Sequence, residues 1–244
     1  MKKTSLFAIV IIFVLSISCS NNHETETLPQ TDCGTVTTTY PIVLIGSQNW
    51  MQKNLDVCSY RNGDPIPQVI DPSQWQNLTT GAWCYYNNDS SNGTIYGKLY
   101  NWYAVNDARG LAPEGYHIPT NSEWIQFENY LIANGYNFDG TKAGNKIAKS
   151  IASTNLWQTT TTGTTGAVGH NVNSNNSSGF SGIPGGFRHE NGLYNAIEQS
   201  TMWWSSTQTD NENAWYRYIN KTTEFLYSYS FNKQFGYSVR CIKD

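Results

Sequence analysis

Residues 201–207 (TMWWSST), 214–220 (AWYRYIN), 224–231 (EFLYSYSF) and 236–244 (GYSVRCIKD) follow one another at hairpin distance. Each is short and rich in aromatic or β-branched residues, and each is bounded by Asn, Asp, Gly or Lys, the pattern of consecutive antiparallel strands. Just before them, residues 185–196 (GGFRHENGLYNA) look like a hairpin turning at Asn191 and Gly192. The end of the chain is therefore predicted to be a β-meander. Neighbouring side chains on a strand point to opposite faces, so the adjacent Trp203 and Trp204 are expected to divide, one inward and one outward.

Working outward, the helical content looks small. Thr120 and Glu123 form a capping box ahead of an apolar face of Trp124, Phe127 and Leu131, and Asn134-Gly135 supplies the stop. A second short helix is expected over residues 142–152, where Ala143, Ile147 and Ile151 recur every four residues. Between the helices and the meander, residues 153–182 are dominated by Thr, Gly, Asn and Ser and read as a long irregular loop, a kind of segment that is usually functional or mobile. Residues 40–57 (YPIVLIGSQNWMQKNLDV) read as strand, turn and strand, and the Pro- and Gly-rich residues 61–75 as irregular. The fold class is α+β: one β-rich domain over residues 40–244, with two short helices, long irregular loops and a C-terminal antiparallel meander.

The chain opens with Lys2 and Lys3, an apolar run from Leu6 to Leu15 and small residues up to Cys19. That is the layout of a secretory signal peptide, and the run is too short for a helix to cross a bilayer. Residues 1–18 are expected to be a lipoprotein signal, Cys19 the lipidated residue and residues 19–39 a polar tether. The expected location is the bacterial envelope, at the outer membrane or cell surface, with lipid as the only membrane contact. Removing residues 1–18 takes away two lysines and no acid, leaving 13 cations, 18 anions and a formal charge of −5. With no Lys/Arg stripe, nucleic acid is excluded as a partner. Cys33, Cys58, Cys84 and Cys241 remain in an oxidising compartment, with no CxxC spacing and no nearby histidine, so zinc is disfavoured and three disulfide pairings stay open. No GxGxxG, Walker loop or other cofactor motif is present, and no cofactor is expected.

The ordered series IGSQNWMQKNLDV, YRNGDPIP, GAWCYYNND, YGKLYNWYAV, GLAPEGYHIPTNSEW, GFSGIPGGFR, MWWSST, AWYRY and GYSVRCIKD, running from Ile45 to Asp244, resembles the Fibrobacter succinogenes major paralogous domain family. The resemblance implies a secreted or lipid-anchored bacterial protein with a C-type lectin-like architecture, related to formylglycine-generating sulfatase-modifying domains. It also implies a bridge between Cys84 and Cys241, since both lie in segments that carry it while Cys33 and Cys58 do not. The copper-dependent cysteine oxidation of the formylglycine-generating enzymes needs a thiol pair near the carboxyl end, where Cys241 stands alone. Calcium at Asp210, Asn211, Glu212 and Asn213 is disfavoured for want of enough oxygens, and an exposed turn is the simpler reading. The adjacent His189 and Glu190 belong on opposite strand faces and so do not share a site.

The aromatics are the suggestive feature: nine Trp, 16 Tyr and nine Phe. Aromatic rings beside Arg and Asn are what recognition surfaces use, although half of those on alternating strands must fill the core. The candidate ligand surface is Trp203, Trp204, Trp215, Tyr216, Arg188 and Arg217. The expected function is a noncatalytic, surface-anchored recognition module for a glycan or for an envelope or host protein. A structural role in envelope assembly is the first alternative and a formylglycine-generating-like oxidoreductase the second.

Overall fold

A computed structural model describes residues 40–244. The signal peptide, Cys19, the tether and Cys33 lie outside the described residues. In chain order the elements are β1 (Ile42–Ile45), β2 (Gln48–Met51), α1 (Pro72–Gln76), β3 (Trp83–Cys84), α2 (Ser90–Tyr96), β4 (Leu99–Tyr100), α3 (Trp102–Val105) and β5 (Tyr116–His117). They continue with α4 (Asn121–Ala133), α5 (Ala148–Ile151), β6 (Gly185–Arg188), β7 (Tyr194–Ile197), β8 (Ser200–Gln208), β9 (Asn213–Asn220), β10 (Tyr227–Asn232) and β11 (Ile242–Lys243).

The strands form a four-stranded sheet in the order β1-β2-β11-β5, a five-stranded sheet in the order β10-β9-β8-β6-β7 and a small β3-β4 ribbon. The expected meander exists as β8-β9-β10, antiparallel throughout, with a register shift between Trp204 and Gln208. Its expected last strand departs from it: β11 inserts between β2 and β5. The last strand thus pairs with the first hairpin of the domain, a connection no local pattern announces.

Helix α4 forms as its caps dictate. The Thr120 hydroxyl accepts from the Glu123 amide at 3.2 Å and the Glu123 carboxylate from the Thr120 amide at 2.8 Å. Its inner face, Trp124, Phe127 and Leu131, is fully buried. The expected helix over residues 142–152 shrinks to one turn, α5. The buried Asn137 side chain donates to the carbonyls of Thr141, Ala143 and Gly144 and accepts from the Lys146 amide. Those bonds hold the preceding residues in a loop and compete with helix formation. Three further short helices, α1, α2 and α3, each start at a side-chain cap, supplied by Asp71, Asp89 and Asn101.

Residues 153–182 are irregular as expected, yet packed: Ala167, Val168 and Phe180 are fully buried. The segment is tied down by the buried Lys149, whose ammonium donates to the carbonyls of Ala167, His170 and Asn171 and to Asn175 Oδ1. A buried ammonium is tolerated because those oxygens replace its water.

The bridge expected between Cys84 and Cys241 is not formed. Both thiols are free and buried. Cys84 packs with Val69, Trp75 and Leu99, while Cys241 belongs to a different cluster with Met51, Tyr100 and Val239. Burial pushes the two thiols up to about 11 and about 12. Cys58 is disulfide-bonded. The even cysteine count was compatible with this arrangement, but the family segments do not bring their two cysteines together.

One ionic clamp joins three elements. His117 on β5 lies 2.5 Å from Asp244 through Nδ1 and 2.8 Å from Glu123 of α4 through Nε2. Burial disfavours the imidazolium, but the hydrogen bonds it donates to Asp244 and Glu123 outweigh it and the net shift is upward from 6.5. A group with a raised folded pKa stabilises the fold fully below its unfolded value and loses that contribution as pH rises through the folded value. Stability should therefore fall as pH rises from about 6.5. The expected result in urea unfolding is a midpoint that declines over this range in the parent and stays flat in His117→Gln; equal slopes would refute it. Glu123, shifted downward, contributes stability that is present above its ordinary value and lost as pH falls below it, so it does not change over this range.

Candidate functional site

Of the six residues proposed for a ligand surface, four are inside. Trp203 and Trp204 are both fully buried, which corrects the expectation that one must face water. β8 is an interior strand with a core on each face. Trp203 packs with Trp124, Phe127, Phe180 and Ile219, and Trp204 packs with Met202, Ala214, Tyr237 and Val239. The alternation rule was right about opposite faces; its assumption of one wet face was wrong.

Arg188 and Arg217 are likewise fully buried. Arg188 lies between the rings of Trp75 and Tyr194, 4.4 and 4.9 Å from their centres, and donates to the carbonyls of Val69, Ile70 and Gly192. Arg217 donates to Asn121 Oδ1 at 2.9 Å, and its Nε and Nη2 have no acceptor among the described residues. Each arginine therefore serves the interior. Trp215 and Tyr216 are half-buried.

The exposed aromatic surface lies one strand further out. On β9, Ala214, Tyr216 and Tyr218 share a face, and their register partners on β10 are Phe231, Tyr229 and Tyr227. This face continues the cluster around Trp204 beyond its edge. Trp204 is fully buried, its neighbour Tyr216 half-buried, and Tyr229, opposite Tyr216, is 47% exposed. Phe231 is 46% and Phe225, just ahead of β10, 38% exposed. Ring centres run from Tyr218 to Tyr227 at 5.8 Å and on to Tyr229 at 5.5 Å, with planes inclined by 26° and 17°. Phe225 sits 5.9 Å from Tyr227 at one end, and Phe231 meets Phe235 at 4.8 Å at the other. The row was legible in EFLYSYSF, where aromatics stand at 225, 227, 229 and 231. What could not be read was that β10 is the edge strand of its sheet and leaves Tyr229 and Phe231 exposed.

The remaining candidates resolve simply. The Asp210–Asn213 segment is a turn: Asp210 Oδ1 accepts from the amides of Glu212 and Asn213, and the carbonyls of Asp210 and Asn211 take the Lys233 ammonium at 2.9 Å. His189 Nδ1 accepts from the Asn191 amide within its hairpin turn. A shallow cleft of about 360 Å³ lies between the end of α4 and the irregular loop, lined by Tyr136, Phe138, Lys149, Thr165, Ser174 and Ser177. Its one charge, Lys149, is already saturated by the oxygens that tie the loop. Among the described residues no cluster of three or more His, Cys, Asp or Glu side chains could hold a metal, and no helix is long and apolar enough to cross a membrane.

No curated protein and no solved structure matches the chain. The sequence model of the Fibrobacter succinogenes major domain matches residues 43–243, which takes in every strand but the first residue of β1, both main sheets and the aromatic face, and the chain belongs to that family.

Proposed function

We propose that this protein is a noncatalytic recognition module, anchored at the bacterial envelope through lipid on Cys19, that contacts its ligand with the aromatic face of β9 and β10. The observation that carries the reading is the exposure of Phe225, Tyr229 and Phe231 at alternating positions along and just ahead of β10. Folded chains seldom leave a contiguous apolar surface in water without a binding use for it, and an edge strand with such a surface invites aggregation. The lectin-like architecture implied by the family resemblance supports the same reading by analogy alone.

The test is an array of envelope glycans and surface proteins probed with the full-length protein. Saturable binding that disappears in the Tyr229→Ala/Phe231→Ala double variant is expected. No binding to any ligand by correctly folded protein would move the assignment to a structural role in envelope assembly. The anchor is tested separately: palmitate labelling should be lost in Cys19→Ala, and labelling equal to the parent's would refute lipidation there.

A further inference from the structure

We infer that the ligand of the β9–β10 face is an uncharged, extended polysaccharide lying along β10, an assignment of ligand class that rests on the recognition reading above. The shape of the surface comes first. Tyr227, Tyr229 and Phe231 alternate along β10 and Phe225 continues them just ahead of the strand, so with a rise of about 3.4 Å per residue in extended chain the row spans up to about 20 Å. It is an open row on a sheet face and has no walls to enclose a chain end. A linear ligand can lie along it, with successive rings meeting successive units of a repeating polymer. Along this line the rings of Phe225, Tyr227 and Tyr229 repeat at 5.9 and 5.5 Å, a step similar to the advance of one sugar along an extended glycan, and Tyr218 widens the platform beside Tyr227 from the neighbouring strand. Sugar rings present flat patches of C–H that suit the negative face of an aromatic ring.

Charge comes second. The side chains on this face are Met202 and Trp204 of β8, Ala214, Tyr216, Tyr218 and Asn220 of β9, and Tyr227, Tyr229 and Phe231 of β10. None is a carboxylate, ammonium, guanidinium or imidazole, and the titratable ring nearest to Phe231, His189, stands beyond the row, behind Phe235, so the strand face itself offers an acidic polysaccharide or a phosphorylated ligand no counter-charge. The polar groups offered are hydroxyls and amides, which can both donate and accept, as sugar hydroxyls do. Asn220 Nδ2 already holds the Tyr218 hydroxyl at 2.8 Å, which fixes that hydroxyl's position at the end of the row.

Two other occupants fit less well. A second copy of this chain pairing through the β10 edge would satisfy the outward backbone groups of that strand. It would leave Tyr229 and Phe231 uncovered, because side chains stand perpendicular to the hydrogen-bonding direction. A protein partner needs roughly 800 Å² on each side and draws on a polar, commonly Arg-bearing rim, whereas this face is narrow and carries no Arg.

The experiment is co-sedimentation and affinity electrophoresis of the full-length protein in detergent. The probes are neutral polysaccharides (cellulose, xylan, mannan and chitin), acidic ones (alginate and polygalacturonate) and a panel of envelope proteins. Retention by at least one neutral polymer is expected, together with losses of about tenfold or more in Tyr229→Ala and in Phe231→Ala, the scale of losing one aromatic anchor. Leu193→Ala, which trims a side chain 62% exposed on a different hairpin, should bind as the parent does. Circular dichroism of each variant separates lost contact from lost fold. Binding only to acidic polymers, or neutral binding indifferent to Tyr229 and Phe231, overturns the inference. Binding only to a protein, and through Tyr229, overturns the ligand class and leaves the recognition reading intact. A concentration-dependent dimer abolished by Phe231→Ala, with no polysaccharide bound, replaces the glycan with a second copy. No binding in any arm removes both readings together.

Discussion

Replacing either Trp203 or Trp204 with alanine is expected to cost about 3 to 5 kcal/mol, the usual range for deleting a large buried aromatic. Each fills a core on its own side of β8 and each satisfies a buried acceptor. Trp203 has ring centres 5.4 Å from Phe180 and 6.1 Å from Trp124, and its indole donates to Asn54 Oδ1 at 3.0 Å. Trp204 lies 4.3 Å from Tyr237 and donates to the Tyr100 carbonyl at 2.9 Å. Alanine would leave a cavity and an unpaired oxygen in either case. The melting temperature should drop by roughly 10 °C or more, given 2 to 4 °C per kcal/mol for chains of this size. Urea midpoints decide it: a cost below about 1 kcal/mol for either residue would mean that its side of β8 is wet, as alternation alone had implied.

That error marks where the sequence stopped being informative. Helix α4 was legible because its capping box and its stop are chemistry between residues three or four apart. The hairpin at Asn191-Gly192 was legible for the same reason. β8 was not, because the inward-outward rule presupposes a sheet with one solvated face, and only the topology places a core on both sides of this strand. The helix expected over residues 142–152 failed through a side chain outside the window, Asn137, whose bonds set the loop from Thr141 to Lys146. Arg188 and Arg217 were assigned to a surface because arginine beside aromatics suits an interface equally well. What placed them inside was backbone and side chains arriving from distant segments, such as Val69 and Ile70 over Arg188. The aromatic row of β10 is the intermediate case. Its spacing was in the sequence, and its exposure depends on a sheet order in which nothing lies beyond β10.

The buried arginines lead to the second large effect, at Arg240, where replacement by methionine is expected to destabilise the protein by about 3 to 5 kcal/mol, the sum of several buried acceptors left unpaired at about 1 to 3 kcal/mol each. The guanidinium is fully buried, and no carboxylate pairs with it among the described residues. Its Nη1 donates to the carbonyls of Met51 at 2.9 Å and Phe180 at 2.6 Å, while Nη2 and Nε reach Asn54 Oδ1 at 3.0 and 3.3 Å. The Phe180 ring centre lies 4.5 Å from the guanidinium carbon. Burial pulls the pKa of Arg240 downward, so the charge is held at a cost that its oxygens offset. A buried ion pair can be exchanged for apolar residues at little loss because both partners leave together. Here the partners are backbone carbonyls, which no substitution removes, and the Asn54 side-chain oxygen, so methionine matches the bulk and strands the acceptors. Asn54 compounds the loss, because its oxygen also receives the Trp203 indole while its amide donates to the Tyr96 carbonyl and the Ser238 hydroxyl. Arg240→Lys should fall between parent and methionine, since one ammonium cannot reach all the oxygens that the planar fork spans. Hydrogen exchange should localise the damage to residues 51–54 and 178–182, the segments that Arg240 ties together. Faster exchange spread evenly over the domain, or a cost under about 1 kcal/mol, would show that the end of the irregular loop is held by the packing of Phe180 and does not need the arginine.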